Sequence, residues 1–232
     1  MPNSEENIIE FQAGISEVED PRPYRAAAAI PDWLKSMPPE RNLPGYHPIG
    51  TIKSCLPFLD ALTAGYIIPI RTTVQFSLPT PGKLEYKHPH FAEHGAAVTY
   101  QNPVSFEGAP FDQALIIKFI NHWIVKTPPG YSTLFVPLLN QVSVPFHVLA
   151  GIVDTDSYRR QVFFPSACLM QPGTTFEFPR GAPLVQAIPF KRSTWEARYT
   201  VANPAEQEAI EKRTHENPHH YRDDNWSKKE YR

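Results

Sequence analysis

Only two cysteines, Cys55 and Cys168, occur among the 232 residues. Two are too few for a disulfide framework, and their apolar surroundings point to buried free thiols in a reducing compartment. Glycine is scarce as well, at 11 residues against 26 prolines. Each proline removes an amide donor and fixes φ, which works against long helices and favours short strands joined by turns. Charge of one sign is missing: the formal net charge is −2, with lysines and arginines dispersed among acids. That balance excludes a chain-wide basic field for nucleic acid or anionic lipid. Apolar runs such as 26–30 and 114–117 fall far short of the roughly 20 residues that span a bilayer. The opening MPNSEENIIEF has neither the basic nor the apolar region of a secretory signal. The expectation is a cytoplasmic protein with no membrane and no nucleic-acid partner.

What is present suits a globular β protein. Hydrophobic residues make up 41% and charged residues 20%, enough for a core without staples. Residues 1–50 read as an irregular proline-rich arm, with Trp33 of Ile30-Pro-Asp-Trp-Leu34 as its anchor on the body. Ile52, Leu56, Leu59 and Leu62 recur at helical spacing, so a helix is predicted over 51–65, ended by Gly65 and started or kinked at Pro57. Strands are predicted at 66–70 and 72–78, then a polar histidine-bearing loop at 80–96. Short strands follow at 116–119, 122–125, 131–136, 142–153, 161–164, 175–178, 184–188 and 195–201, at the intervals of a sandwich or barrel. Asn203-Pro-Ala-Glu206 has the cap, N1 proline and N3 acid of a helix start. The division is therefore 1–50 arm, 51–202 β domain, and 203–232 C-terminal helix with a polar tail.

Three ordered segments carry a family resemblance. Thr127-Pro-Pro-Gly-Tyr-Ser-Thr-Leu-Phe-Val-Pro137 is similar to a Pro-Pro-Gly strand. Ala150-Gly-Ile-Val-Asp-Thr-Asp-Ser-Tyr-Arg159 is similar to a Gly-x-Ile-Asp-x-Asp-Tyr-Arg-Gly hairpin, with Ser157 as one extra residue. Phe176-Glu-Phe-Pro-Arg-Gly-Ala-Pro-Leu-Val-Gln-Ala-Ile188 matches a third strand pattern. Together, over about 115–190, they resemble the dUTPase / dCTP-deaminase superfamily, and the arrangement also resembles a family of marine bacterial and phage proteins with no assigned activity. The resemblance implies a mostly β fold, an antiparallel β-clip or jelly-roll-like barrel. It also implies a homotrimer with sites between subunits, and a hydrolase acting on a nucleotide. Under it, Asp154 is the candidate base with Asp156 as its neighbour, and Tyr158 is the sugar platform. Arg159, Gln186, Lys191 and Arg192 are the remaining candidates around a small-molecule pocket. Where the family carries Arg-Ser-Gly for phosphate, this chain has Leu138-Leu139-Asn140, and two leucines supply neither charge nor donor to a triphosphate.

The residues leave other readings open. Asp154-Thr155-Asp156 suits Mg²⁺, or else an Asx-type turn that organises its own hairpin. His88, His90 and His94 suit an iron or zinc site of a cupin-like enzyme, or else a solvated polar loop. His147 lies near the paired aspartates in sequence. The whole chain also reads as a non-catalytic, phage-like β module for binding or assembly.

Overall fold

The computed structural model describes residues 7–14, 19–46, 48–109, 115–141, 144–217 and 219–231. The first six residues, Ala114 and the start of the 142–153 prediction lie outside them. The chain divides into two compact units. One comprises Met1–Pro31 with Ala61–Arg192, the other Asp32–Asp60 with Ser193–Arg232.

In chain order the elements are β1 (Glu10–Gln12), β2 (Tyr24–Arg25), α1 (Asp32–Ser36), β3 (Glu40–Arg41), β4 (Ile49–Gly50), α2 (Leu56–Thr63), β5 (Tyr66–Pro69), β6 (Val74–Leu78) and β7 (Glu85–Lys87). Then come α3 (Phe91–His94), β8 (Val98–Tyr100), β9 (Ile116–Phe119), β10 (Ile124–Lys126), β11 (Tyr131–Val136), β12 (Phe146–Val148) and β13 (Gly151–Val153). The last are β14 (Phe164–Cys168), β15 (Thr174–Phe178), β16 (Pro183–Lys191) and α4 (Pro204–Glu216). The fold is mostly β, as the turn spacing predicts, and the paired strands run antiparallel. Among the described residues the sheets are open and none closes into a barrel.

The larger unit is built from a five-stranded sheet (β13-β11-β16-β5-β2), a four-stranded sheet (β12-β14-β9-β8), a three-stranded sheet (β15-β6-β7) and the β1-β10 pair. Period-two alternation puts Val74, Phe76 and Leu78 of β6 inside. The Phe76 ring meets Phe146 at 4.5 Å and Phe119 at 6.3 Å, and Phe119 meets Phe178 edge-on at 5.8 Å. These aromatics bury large area and pack in tilted or T-shaped pairs, so they fix how the strands seat.

The helix predicted over 51–65 is shorter in the structure. A 3-10 turn at Ile52–Ser54 precedes α2, and Pro57 falls in its first turn, where its missing N–H costs nothing. Gly65 follows with φ +66°, and a Cβ there would stand 2.2 Å from the Ala187 carbonyl oxygen. Only glycine fits so close a backbone approach.

The smaller unit corrects two expectations. Leu34, at 1% exposure, is the buried anchor of α1. Trp33 is 47% exposed and meets the Phe58 ring edge-on at 6.5 Å. The strand predicted at 195–201 does not form, because its backbone finds no partner strand. The predicted C-terminal helix is α4, capped by Asn203, whose side chain accepts from the Ala205 N–H at 3.1 Å. The tail beyond it returns to its own unit: the Trp226 indole N–H donates to Asp60 at 2.9 Å, and Lys229 pairs with Asp60 at 2.8 Å. Among the described residues no helix is long and apolar enough to cross a membrane.

Candidate functional site

β13 ends at Val153, and residues 154–158 fold into a tight turn. Ser157 and Tyr158 both donate backbone N–H bonds to the Asp154 carbonyl, at 3.1 and 2.8 Å. Ser157 lies within that turn, beyond the β11–β13 ladder, which ends at Val153. Beneath the turn Thr155 is buried, and its hydroxyl meets those of Thr127 at 2.7 Å and Thr133 at 2.8 Å. Three hydroxyls that satisfy one another lock the turn to the start of β11 and the segment before it.

The two carboxylates converge on one cation. β16 pairs with β11 so that Lys191 lies opposite Tyr131, and Arg192 follows at the end of the ladder. Its Nη1 donates to Asp154 Oδ1 at 3.2 Å and to Asp156 Oδ1 at 3.1 Å, and its Nη2 donates to Asp156 Oδ2. Asp156 Oδ2 also accepts the Gly130 N–H at 2.9 Å, presented by a glycine at φ +84°. The Arg192 guanidinium first, and then the Gly130 amide, hold the Asp156 carboxyl at a pKa of about 2. Asp156 in turn raises the Arg192 pKa. A carboxylate so weakly basic is unsuited to taking a proton near neutrality.

Asp154 stands differently. Ser132 donates to its Oδ1 at 2.6 Å, yet the side chain is 61% exposed, against 11% for Asp156. It borders an open groove of about 860 Å³ that runs from the turn to β9 and β14. Lys118, Ile152, Tyr158, Arg160 and Phe163 also line that groove. Among the described residues neither Lys118 nor Arg160 is in an ion pair. The groove therefore offers two cations, two aromatic rings and one exposed carboxyl group, the equipment for an anionic ligand with a flat ring.

The other sequence candidates lie elsewhere. Gln186 is fully buried; it accepts the Leu139 N–H at 3.0 Å and donates to the Ala61 and Ala64 carbonyls at 2.9 and 2.6 Å. Lys191 is exposed at the end of β16. Arg159 acts on Glu10, whose carboxyl is lowered mainly by Lys126 and more weakly by Arg159. His147 is exposed on β12, opposite Ala167, and does not line the groove. Leu138 packs in a small core with Ala26 and Ile67, and Asn140 takes φ +58°, so this segment is a filled turn.

The histidines do not converge. His88 Nε2 accepts the Ala97 N–H at 3.0 Å, and burial pushes its pKa down. His90 and His94 flank Glu93 at 3.7 and 3.8 Å, with their ring centres 6.3 Å apart. Among the described residues no group of three or more histidines, cysteines or acids is placed to hold a metal ion. Lys118, Arg160 and Ser132 were not legible as site residues, because no local motif marks a lone cation on a strand or after a turn.

No family model matches the chain, and no curated protein matches it. Among solved structures it is similar to staphylococcal phage dUTPases. A mutant of the phage 80alpha dUTPase shares 10% identity over 85% of this chain and 98% of that one, at a TM-score of 0.39. The dUTPase from phage phi11 of S. aureus shares 12% over 86% and 99%, at 0.37. Another 80alpha mutant, in complex with dUpNHpp, shares 10% over 85% and 90%, at 0.37.

Proposed function

We propose that this is a diverged dUTPase-like protein that binds a nucleotide, or another small anionic ligand bearing a ring, in the groove beside the 154–158 turn. One observation carries the reading: Lys118 and Arg160, outside any ion pair among the described residues, share a groove with Tyr158, Phe163 and the exposed Asp154. The cations receive the anionic groups, and the rings receive a base or sugar face. Asp154 is the carboxylate that can orient a water or a ligand hydroxyl. Asp156 and Arg192 neutralise each other and hold the turn. Binding is thereby favoured over hydrolysis, and a non-catalytic module is the second reading, on the strength of the Asp156–Arg192 lock.

The test is a thermal-shift series with deoxynucleoside mono-, di- and triphosphates, with and without Mg²⁺. A ligand at about 100 times its Kd stabilises the fold by roughly 2.7 kcal/mol. The expected result is a nucleotide-dependent rise in Tm that Arg160→Ala weakens at least tenfold in apparent affinity, while Asp154→Asn changes ligand preference. Absence of a shift with every nucleotide would overturn the nucleotide reading. Turnover that is lost in Asp154→Asn would establish the hydrolytic form.

A further inference from the structure

Residues 193–202 make no backbone hydrogen bond among the described residues. Yet Thr194-Trp-Glu-Ala-Arg-Tyr-Thr200 alternates as a strand should. Trp195, Ala197, Tyr199 and Val201 share one parity, and Thr194, Glu196, Arg198 and Thr200 the other. Glu196 and Arg198 already meet at 3.2 Å, which puts them on one side of the chain. Trp195 is 89% exposed, and Tyr199 and Val201 each 97%. A row of large apolar side chains on an unpaired strand-forming segment marks an interaction surface.

The order of side chains names the partner. An isologous two-fold contact requires residue i to face j and j to face i. Antiparallel pairing centred on Ala197 does this throughout the segment. Trp195 faces Tyr199 of the second copy, Glu196 faces Arg198, and Thr194 faces Thr200, each pair occurring twice. Aromatic, opposite-charge and Thr–Thr pairs are the cross-strand combinations that stabilise a ladder. Centring on Arg198 or Glu196 instead would set like charges against each other. We propose that residues 194–200 form an antiparallel strand with the same segment of a second copy of this chain, in register about Ala197. The proposal is independent of the groove and of any ligand.

Sedimentation equilibrium of the full chain, carried to on the order of 100 μM where weak interfaces populate, should show reversible association into two chains or an even multiple. Glu196→Arg sets arginines against each other in both pairs and should weaken association at least tenfold. Adding Arg198→Glu to that variant should restore it. Ala197→Cys places two thiols directly opposite, within the Cα separation a disulfide spans, and should cross-link on oxidation well above wild type, whereas Thr194→Cys alone should not. Unchanged far-ultraviolet spectra and melting would show that the variants fold. A single-chain or three-chain mass at every concentration would overturn the proposal, including the case where the segment serves another protein's sheet edge. So would an indifferent Glu196→Arg, or cross-linking at 194 in place of 197.

Discussion

Arg192 grips Asp156 with both terminal nitrogens while reaching Asp154 Oδ1 at 3.2 Å with Nη1. One cation at the end of β16 thus fixes the turn that follows β13. The two aspartates, which look equivalent in sequence, take opposite roles: Asp156 is neutralised and 11% exposed, Asp154 solvent-facing.

Breaking the grip should loosen the turn without unfolding the sheets. Arg192→Met leaves Asp156 with the Gly130 amide but without its counter-charge. A drop in Tm of a few degrees is expected, and Arg192→Met with Asp156→Asn should recover part of it, because the uncompensated charge is gone. Melting of wild type, the two single variants and the double completes the cycle; a double variant no more stable than Arg192→Met would contradict the coupling.

The same contact sets an acid dependence. The Asp156 pKa falls from 3.8 to about 2 on folding, so its contribution is fully present above pH 3.8 and is lost as pH falls through about 2. Urea unfolding of wild type and Asp156→Asn should show a gap that is constant from neutrality to about pH 4 and closes towards pH 2.

Gln186 should behave as a structural residue. Replacing it with Met leaves the Leu139 N–H and two α2-end carbonyls short of a partner, at about 1–3 kcal/mol for each buried group left unsatisfied. Denaturant midpoints should fall accordingly, while affinity for any groove ligand stays within about twofold of wild type once binding is measured below the melting range. A selective loss of affinity at unchanged stability would return Gln186 to the ligand site.

Gly65→Ala should be among the most damaging single-atom additions. The new Cβ meets the Ala187 carbonyl oxygen at 2.2 Å in a backbone with positive φ, so a loss of roughly 3 kcal/mol or more is expected from strain and displacement of the β5–β16 ladder. The control is Gly82→Ala, also at positive φ but with open space around it, which should cost less.

His88 should stay neutral well into mild acid. Burial lowers its pKa below the usual 6.5, and its Nε2 accepts the Ala97 amide. Stability from this contact is present above pH 6.5 and declines as pH falls below it. An NMR titration should give His88 a midpoint below the usual imidazole value of 6.5.

Much of the fold was legible because it is written in local terms. The alternation in 74–78, the Pro-Pro-Gly turn before 131–136, the cap at Asn203 and the glycine after α2 each act over a few residues. Trp33 misled because size suggests an anchor, but Leu34 sits on the face that α1 buries. The 195–201 segment misled for a deeper reason: alternation declares a strand, and a strand exists only where a partner completes its ladder.

The sequence by itself determined a mostly β chain, its short elements, the paired aspartates and the absence of a cationic Arg-Ser-Gly-like segment after Pro137. Only the tertiary structure decided what those aspartates do, since Arg192, 36 residues beyond Asp156, supplies the charge that separates them. It also brought Lys118 on β9 to the same groove as Arg160 and Tyr158. Local propensity acts through neighbours along the chain, whereas charge pairing and groove shape depend on residues that meet only when non-adjacent strands pack.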